Sequence, residues 1–234
     1  MTGAHEAAVP WPRVVVQLLL VLVGMPLLPI LVSWRWDWWQ AWLYAGTVVA
    51  GFVASRALVA RRHPDLLRER ARFMQHANAK SWDRILAPAV ALGGVLPLAV
   101  CGLDARFGWS STLPWAVAIA GLIAHVAGYV LGTLAMMANR FFSGLVRIQT
   151  DREHHVVSTG PYAWIRHPGY LGSLLSYWGT PLFLESWWAL VPTLLVTIVL
   201  VVRTILEDRT LQEELPGYRE YAARVRYRLI PGVW

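Results

Sequence analysis

Residues able to bind a polar ligand are concentrated in one segment of the sequence, 149–172. Glycine and proline recur through this segment and break any helix, so the backbone must turn just before the next apolar stretch. Turned backbone leaves N–H and C=O groups that, at membrane depth, only protein or a bound ligand can satisfy. The segment is therefore predicted to form the wall of a cavity. Its sequence is Gln149-Thr-Asp-Arg-Glu-His154-His155-Val156-Val157-Ser-Thr-Gly-Pro-Tyr162-Ala-Trp-Ile-Arg-His167-Pro168-Gly169-Tyr170-Leu-Gly172.

A second polar group, Arg203 with Glu207, follows the last apolar stretch of the chain. The two residues are four apart and therefore share one face of a helix. An isolated pair of this kind is typical of a surface ion pair with little energetic weight. Its position at the mouth of a membrane segment, beside the first group, makes a functional role an equal alternative.

The composition indicates what must hold these groups in place. The chain has 234 residues, of which 56% are hydrophobic and only 15% are charged. A soluble domain usually carries about 25% charged residues. This excludes an ordinary soluble globule, a disordered tail and a nucleic-acid-binding module. The 14 tryptophans are typical of rings at a membrane interface, and the single cysteine, Cys101, cannot form an internal disulfide.

The apolar stretches predict the fold. A membrane-spanning helix needs about 20 mostly apolar residues. Glu185-Ser186 lies inside the last stretch and indicates the tip of a helical hairpin, with Pro181 and Pro192 bending its arms. We expect an all-α, polytopic membrane helical bundle of four long transmembrane helices plus a C-terminal helical hairpin, with a cytoplasmic cofactor pocket. The first stretch is interpreted as an anchor, since no A-x-A-like cleavage site follows it. The apolar stretches are 14–32, 38–60, 85–103, 107–139 and 170–202.

Positive charges set the predicted orientation. Of the 21 Lys and Arg residues, 18 fall before the first helix, in the loop 61–84, in the loop after the fourth helix, or in the tail. Because such residues stay on the cytoplasmic side, both termini are predicted to be cytoplasmic. The basic loop 61–84 is expected to be an amphipathic helix on the lipid headgroups, the alternative being that His63 or His76 contacts a substrate. Residues 1–138 would form a transmembrane region and 139–234 a catalytic core.

The motif from Tyr162 to Gly172 closely resembles the Y-x-W-x-R-H-P-x-Y-x-G core of isoprenylcysteine carboxyl methyltransferases, which are related to phospholipid methyltransferases. The tail is similar to that family's R-x-x-x-E-E-x-x-L…Y-x-x-Y…V…I-P ending, with Asp208 where the family often has a second Glu. The spacing between Gln149 and His154 is also shorter than in the eukaryotic enzymes. The resemblance covers about a third of the chain, roughly 149–231.

The resemblance implies an S-adenosylmethionine-dependent methyltransferase, with the cofactor enclosed by the 149–172 segment and the tail. Glu207 matches a carboxylate that contacts the cofactor. Arg203 matches a catalytic arginine near the methyl acceptor, and so a substrate-binding residue. Contacts from Gln149 and Asp208 are the least determined of these assignments. The matching cofactor-binding positions are Gln149, His154, His155, Val156, Val157, Tyr162, His167, Pro168, Gly169, Tyr170 and Glu207.

Methyl transfer from a sulfonium suits such a site, because it requires alignment and exclusion of water rather than a metal. Alignment supplies about 7–11 kcal/mol of a barrier, and a water-free cavity adds to it. Tyr162 and Tyr170 are expected to face the sulfonium or stack on adenine, and an arginine fits a carboxylate or phosphate on the acceptor. The predicted acceptor is lipophilic, with a carboxylate, thiol or amine as the methylated group. The expected partners are the lipid bilayer and this acceptor, without nucleic acid or an obligate protein partner, and the expected location is the bacterial inner membrane.

Other interpretations remain open at this point. Trp164 and Tyr170 would also suit an interface belt, and His125 an interhelical hydrogen bond rather than a proton relay. An NADPH-dependent membrane sterol-type reductase has a similar R-H-P-N-Y-x-G-E motif, but Gly169 and Ser173 replace its Asn and Glu. A membrane di-iron oxidase needs about eight clustered histidines, and this chain has seven in total. A non-catalytic membrane carrier often shows paired halves, which are not visible here.

Overall fold

The computed structural model describes residues 11–72 and 78–234, and every regular element in these two ranges is helical. The expected all-α membrane bundle is confirmed, because four helical stretches are long and apolar enough to cross a membrane. The helices are α1 (Trp11–Leu19), α2 (Met25–Ser33), α3 (Trp39–Arg62), α4 (Pro64–Ala71), α5 (Asp83–Gly93), α6 (Val95–Phe107), α7 (Trp115–Ala138), α8 (Pro168–Phe183), α9 (Leu190–Glu214) and α10 (Tyr218–Arg224). Short 3₁₀ turns occupy Thr150–Arg152 and Gly160–Ala163.

The four long stretches are not quite those expected from the sequence. They are α3, α5 with α6, α7, and α9, which is the second arm of the predicted hairpin. In the N-terminal stretch, α1 is followed directly by a shorter apolar helix, Leu20–Ser33, which begins with a π-helical turn, Leu20–Gly24. In the third stretch, the helix is interrupted at Gly94, between α5 and α6. The ring of Tyr177 packs against this glycine, and a Cβ added to Gly94 would lie 3.2 Å from that ring.

The hairpin of α8 and α9 has unequal arms. The 16 residues of α8 span roughly 24 Å at 1.5 Å per residue, less than the apolar thickness of a bilayer. Glu185 lies in the turn with a φ of 58°, and the hydroxyl of Ser186 donates to Asp104 at the end of α6. The tip predicted at Glu185-Ser186 is therefore where the structure has it, and it is held by a buried hydrogen bond.

The first arm of the hairpin packs against α7 through small residues. A Cβ on Gly128 would lie 2.3 Å from the carbonyl oxygen of Gly172, and one on Gly179 would lie 2.4 Å from that of Gly121. Such contacts let two backbones approach closely, as in other membrane helix pairs. His125 joins the same interface, with Nδ1 3.0 Å from the hydroxyl of Thr180. This contact is the interhelical hydrogen bond expected of His125. The α7–α8 pair also positions the 149–172 segment, most of which lies in the connection between the two helices at one end of the bundle.

The basic loop differs from the surface helix expected for 61–84. Within the described part of this loop, Arg61 and Arg62 still belong to α3, Pro64–Ala71 forms the separate helix α4, and Asp83 with Arg84 already belongs to α5. Leu66 is completely buried and Glu69 is 7% exposed, so one face of α4 packs on the protein. His63 Nε2 lies 3.0 Å from the carbonyl oxygen of Met137. His76 lies outside the described residues.

Candidate active site

A cavity of about 220 Å³ lies where the 139–167 connection meets α8, α9 and α10. It contains all of the residues predicted for the site except Pro168, which is the first residue of α8 and does not line the cavity. Proline is common there because its fixed φ suits a helix start and its missing N–H costs nothing. The predicted residues that line the cavity are Gln149, His154, His155, Val156, Val157, Tyr162, His167, Gly169, Tyr170, Arg203 and Glu207.

The two sequence motifs meet at Tyr170 and Glu207. The Tyr170 hydroxyl donates a hydrogen bond to Oε2 of Glu207. The His167 ring stacks on the Tyr170 ring, with centroids 5.7 Å apart and planes 9° apart. Glu207 is only partly buried, and no Lys or Arg of the described residues forms an ion pair with it. The cavity thus contains a carboxylate that accepts a hydrogen bond from Tyr170 and forms no ion pair with a cationic side chain in the described part of the chain.

Asp208 has a structural position behind the cavity wall. It is completely buried, does not line the cavity, and accepts hydrogen bonds from Arg166 Nε at 2.7 Å and Nη2 at 3.0 Å. Arg228 Nε at 2.9 Å and the Tyr218 hydroxyl at 3.1 Å add to this network, and His167 Nε2 lies 3.3 Å away. The carboxylate therefore ties the Arg-His-Pro motif, α9, α10 and the C-terminal tail together.

Arg203 lines the cavity, but some of its guanidinium N–H groups already donate to a carboxylate of the protein. Its Nε and Nη2 donate to Asp83 at 2.6 and 2.9 Å, and Nη2 also donates to the Gly144 carbonyl at 2.9 Å. Asp83, completely buried at the start of α5, also accepts the backbone N–H of Val146 at 2.6 Å. The guanidinium carbon is 5.3 Å from the centroid of the Tyr170 ring. Asp83 thus fixes both Arg203 and the 144–146 wall.

The loop that forms the other wall is organised around Phe141. Gln149, 1% exposed, donates from Nε2 to the Phe141 carbonyl at 2.7 Å, and the ring lies between His154 and His155 at centroid distances of 4.5 and 4.8 Å. His154 Nδ1 accepts the Gln149 backbone N–H at 3.4 Å. Burial, with the neighbouring positive charges of His155, Arg147 and Arg152, lowers the pKa of His154 to about 4. The imidazole is therefore neutral at pH 7.

The sequence did not point to several other residues of this cavity. Phe142 fills the space beside Gly169, where an added Cβ would lie 2.4 Å from the ring, so glycine is required for this contact. Tyr221, whose hydroxyl donates to the Tyr162 carbonyl at 2.8 Å, was visible in the tail motif but had no role assigned. Arg70 and Asn139 had no motif or periodic signal. Only the three-dimensional path of α4 and of the 139–148 connection reveals them.

Comparisons with known proteins agree with this geometry. Residues 115–216 match the model of the family described as phospholipid methyltransferase. The expected resemblance is confirmed. The matched range contains the first motif, the Arg203–Glu207 part of the second, the α7–α8 pair and most of the residues that enclose the cavity.

Relatives with curated names extend the same resemblance. A probable protein-S-isoprenylcysteine O-methyltransferase of Oryza sativa subsp. indica is 32% identical over 119 residues, covering 47% of this chain and 60% of the relative. The protein-S-isoprenylcysteine O-methyltransferase of Saccharomyces cerevisiae is 35% identical over 97 residues, covering 41% and 38%. The Homo sapiens enzyme of that name is 34% identical over 119 residues, covering 47% and 39%. The chain therefore spans 60% or less of the length of these relatives.

Proposed function

We propose that this protein is an integral membrane methyltransferase that moves a methyl group from S-adenosylmethionine to a lipophilic acceptor. The observation that carries the proposal is the meeting of two distant motifs at one cavity, where Tyr170 from the first contacts Glu207 from the second. The family match over 115–216 and the names of the relatives support methyl transfer as the reaction.

The cavity residues fit the proposed donor. Glu207, which forms no ion pair with the Lys and Arg residues that the structure describes, suits the ammonium group of the donor, and the Tyr170 hydroxyl holds that carboxylate in place. The rings of Tyr162 and Tyr170 offer faces for a sulfonium or an adenine. Bound S-adenosylmethionine would supply an electrophilic methyl group. The protein's own contribution would be to orient donor and acceptor and to exclude water, and alignment of this kind is worth about 7–11 kcal/mol.

His167 and the loop residues would act mainly by shaping the cofactor end. His167 stacks on Tyr170 and contacts Asp208, so it fixes the ring that meets Glu207. The imidazole of His154, beside Phe141, would add a flat ring surface to the cofactor end. Because this ring is neutral, it would not place a positive charge near a cationic donor. Gln149 acts behind them by holding the Phe141 carbonyl. Asp208 is assigned the same supporting role, and Pro168 is assigned the start of α8.

The acceptor is proposed to enter from the bilayer. Arg203 lies one helical turn closer to the apolar part of α9 than Glu207, so the donor would lie toward the cytoplasm and the acceptor toward the membrane. An isoprenylated cysteine is the acceptor named by the relatives, and a thiol or amine on another lipid would also fit an apolar route. We propose a bacterial inner membrane location with both termini cytoplasmic, because 18 of the 21 Lys and Arg residues would then face the cytoplasm.

Calorimetric titration of the detergent-purified protein with S-adenosylhomocysteine tests this proposal. We expect saturable binding to the wild type and an affinity about 10- to 150-fold lower for Glu207→Gln, because a charge-assisted hydrogen bond is lost. Glu213→Gln on the same helix is the matched control, since Glu213 is exposed and pairs with Arg209. Lack of wild-type binding, or saturable binding of NADPH in its place, would contradict the assignment.

A further inference from the structure

Four arginines line the cavity, and three of them are neutralised by carboxylates of the protein. Arg147 pairs with Glu69 at 2.9 Å and with Asp151 at 2.7 Å. Arg166 pairs with Asp208 at 2.7 Å, and Arg203 pairs with Asp83 at 2.6 Å. The positive charges of these three arginines are therefore already balanced by carboxylates, and some of their guanidinium N–H groups already have acceptors.

Arg70 is the exception among the cavity arginines. Its side chain is half-buried, and its hydrogen bond within the described residues runs from Nη1 to the Phe142 carbonyl at 3.2 Å. The guanidinium carbon lies 5.5 Å from the centroid of the Phe142 ring, and none of the described carboxylates forms an ion pair with it. An arginine has five N–H donors, and among the described residues only one of those on Arg70 has an acceptor.

The surroundings of Arg70 disfavour its charge, which an anion would relieve. Burial, followed by repulsion from Arg56 and Arg203, lowers the pKa of Arg70 to about 10. The side chain is still protonated at pH 7. A half-buried cation close to two others is costly unless an opposite charge reaches it, and a partly desolvated site strengthens that attraction.

The location of Arg70 in the cavity indicates that an anion bound to it would belong to the methyl acceptor rather than to the methyl donor. Arg70 is close enough to Arg203 and Tyr170 for both to affect its charge, and Arg203 is the residue proposed to lie near the acceptor. Val90 and Leu200, from the apolar parts of α5 and α9, also line the cavity. The cofactor end, by contrast, is formed by His154 to Val157 and by the tail. Arg70 belongs to the short helix α4, which follows α3 in the chain, and it is the residue of α4 that lines the cavity.

We infer that Arg70 binds the anionic group, a carboxylate or a phosphate, of the lipophilic methyl acceptor. The inference rests on the proposed function and adds the residue that selects the acceptor. Arg203, held by Asp83, then orients Tyr170 and contributes a compensated charge, whereas Arg70 supplies the uncompensated one. A neutral lipid of equal length would leave Arg70 without a partner.

Binding of matched probes to the protein loaded with S-adenosylhomocysteine tests this. The first pair is N-acetyl-S-farnesylcysteine and its carboxamide, and the second is farnesyl monophosphate and farnesol. We expect the wild type to prefer the anion of at least one pair by about 10- to 100-fold, and the pair identifies carboxylate or phosphate. Arg70→Gln should lose that preference, and Arg70→Lys should keep part of it because the charge remains without the planar fork.

Arg68→Gln is the control, because Arg68 is exposed on the same helix and does not line the cavity. Each variant is first titrated with S-adenosylhomocysteine alone, so failure of the proposed function shows itself before any acceptor probe is added. The inference is overturned if the wild type binds no anionic probe or does not discriminate, or if Arg70→Gln keeps the preference. It is also overturned if Arg70→Gln weakens S-adenosylhomocysteine binding to the same extent, since Arg70 would then hold the donor's carboxylate.

Discussion

Replacing Asp208 by Asn isolates the network that holds the cavity wall. The completely buried carboxylate receives two hydrogen bonds from Arg166 and one each from Arg228, Gln212 and Tyr218. Asn keeps the shape but replaces one acceptor oxygen by a donor and removes the charge, so two arginines lose their counter-ion. Breaking a buried ion pair in this way costs about 3–5 kcal/mol.

At about 2–4 °C per kcal/mol for a protein of this size, the expected decrease in apparent melting temperature is roughly 6–20 °C. The assay is thermal unfolding of the detergent-purified protein, with S-adenosylhomocysteine affinity as a second measurement. Asp208→Glu should recover part of the loss. Asp65→Asn is the control, because Asp65 is 38% exposed where it pairs with Arg140 and Arg152 and should cost about 0–1 kcal/mol. A change below 2 °C for Asp208→Asn would refute the reasoning.

Two further expectations concern helix packing and pH. Gly128→Val places a side chain against the Gly172 carbonyl and Ser176, so it should lower the apparent melting temperature by several degrees, whereas Gly46→Val, with nothing within 4 Å of its Cβ position, should not. For His154, the unfolded chain binds a proton near pH 6.5 and the folded chain only near pH 4. Stability should therefore fall as the pH decreases from about 6.5 toward 4, and His154→Gln should reduce that dependence in thermal unfolding between pH 7 and pH 5.

Local sequence signals predict much of the fold and many of the residues that meet at the cavity. Apolar length predicted the membrane helices, and the single polar break at Glu185-Ser186 predicted the hairpin tip. The glycine- and proline-rich motif and the Arg203–Glu207 spacing predicted which residues would meet, because each motif is short and its geometry is local. The resemblance added the expected ligand, which spacing alone could not supply.

Long-range pairings could not be read from the sequence. Asp83 and Arg203 are 120 residues apart, and nothing in the local pattern of α5 indicates that its first residue fixes an arginine of α9. The charge of the basic loop favours a helix on the lipid headgroups, yet Leu66 is buried against Val59 and Met136, and Arg70 of the same helix lines the cavity. A pattern of charge or hydrophobicity describes one segment, whereas these contacts depend on how separate segments pack.

The cavity is lined by residues from both proposed regions of the chain, 1–138 and 139–234. The 115–216 family match contains Tyr170 and Glu207, which suit the donor, whereas Asp83 and Arg70 come from helices before it. In the proposed function, most contacts with the donor would come from within the matched range, whereas Arg70, outside that range, would select the acceptor. A protein with the same motifs but another residue in place of Arg70 should therefore keep the donor and differ in its acceptor. Because Asp83 already neutralises Arg203, the charge that discriminates between acceptors is the one on Arg70.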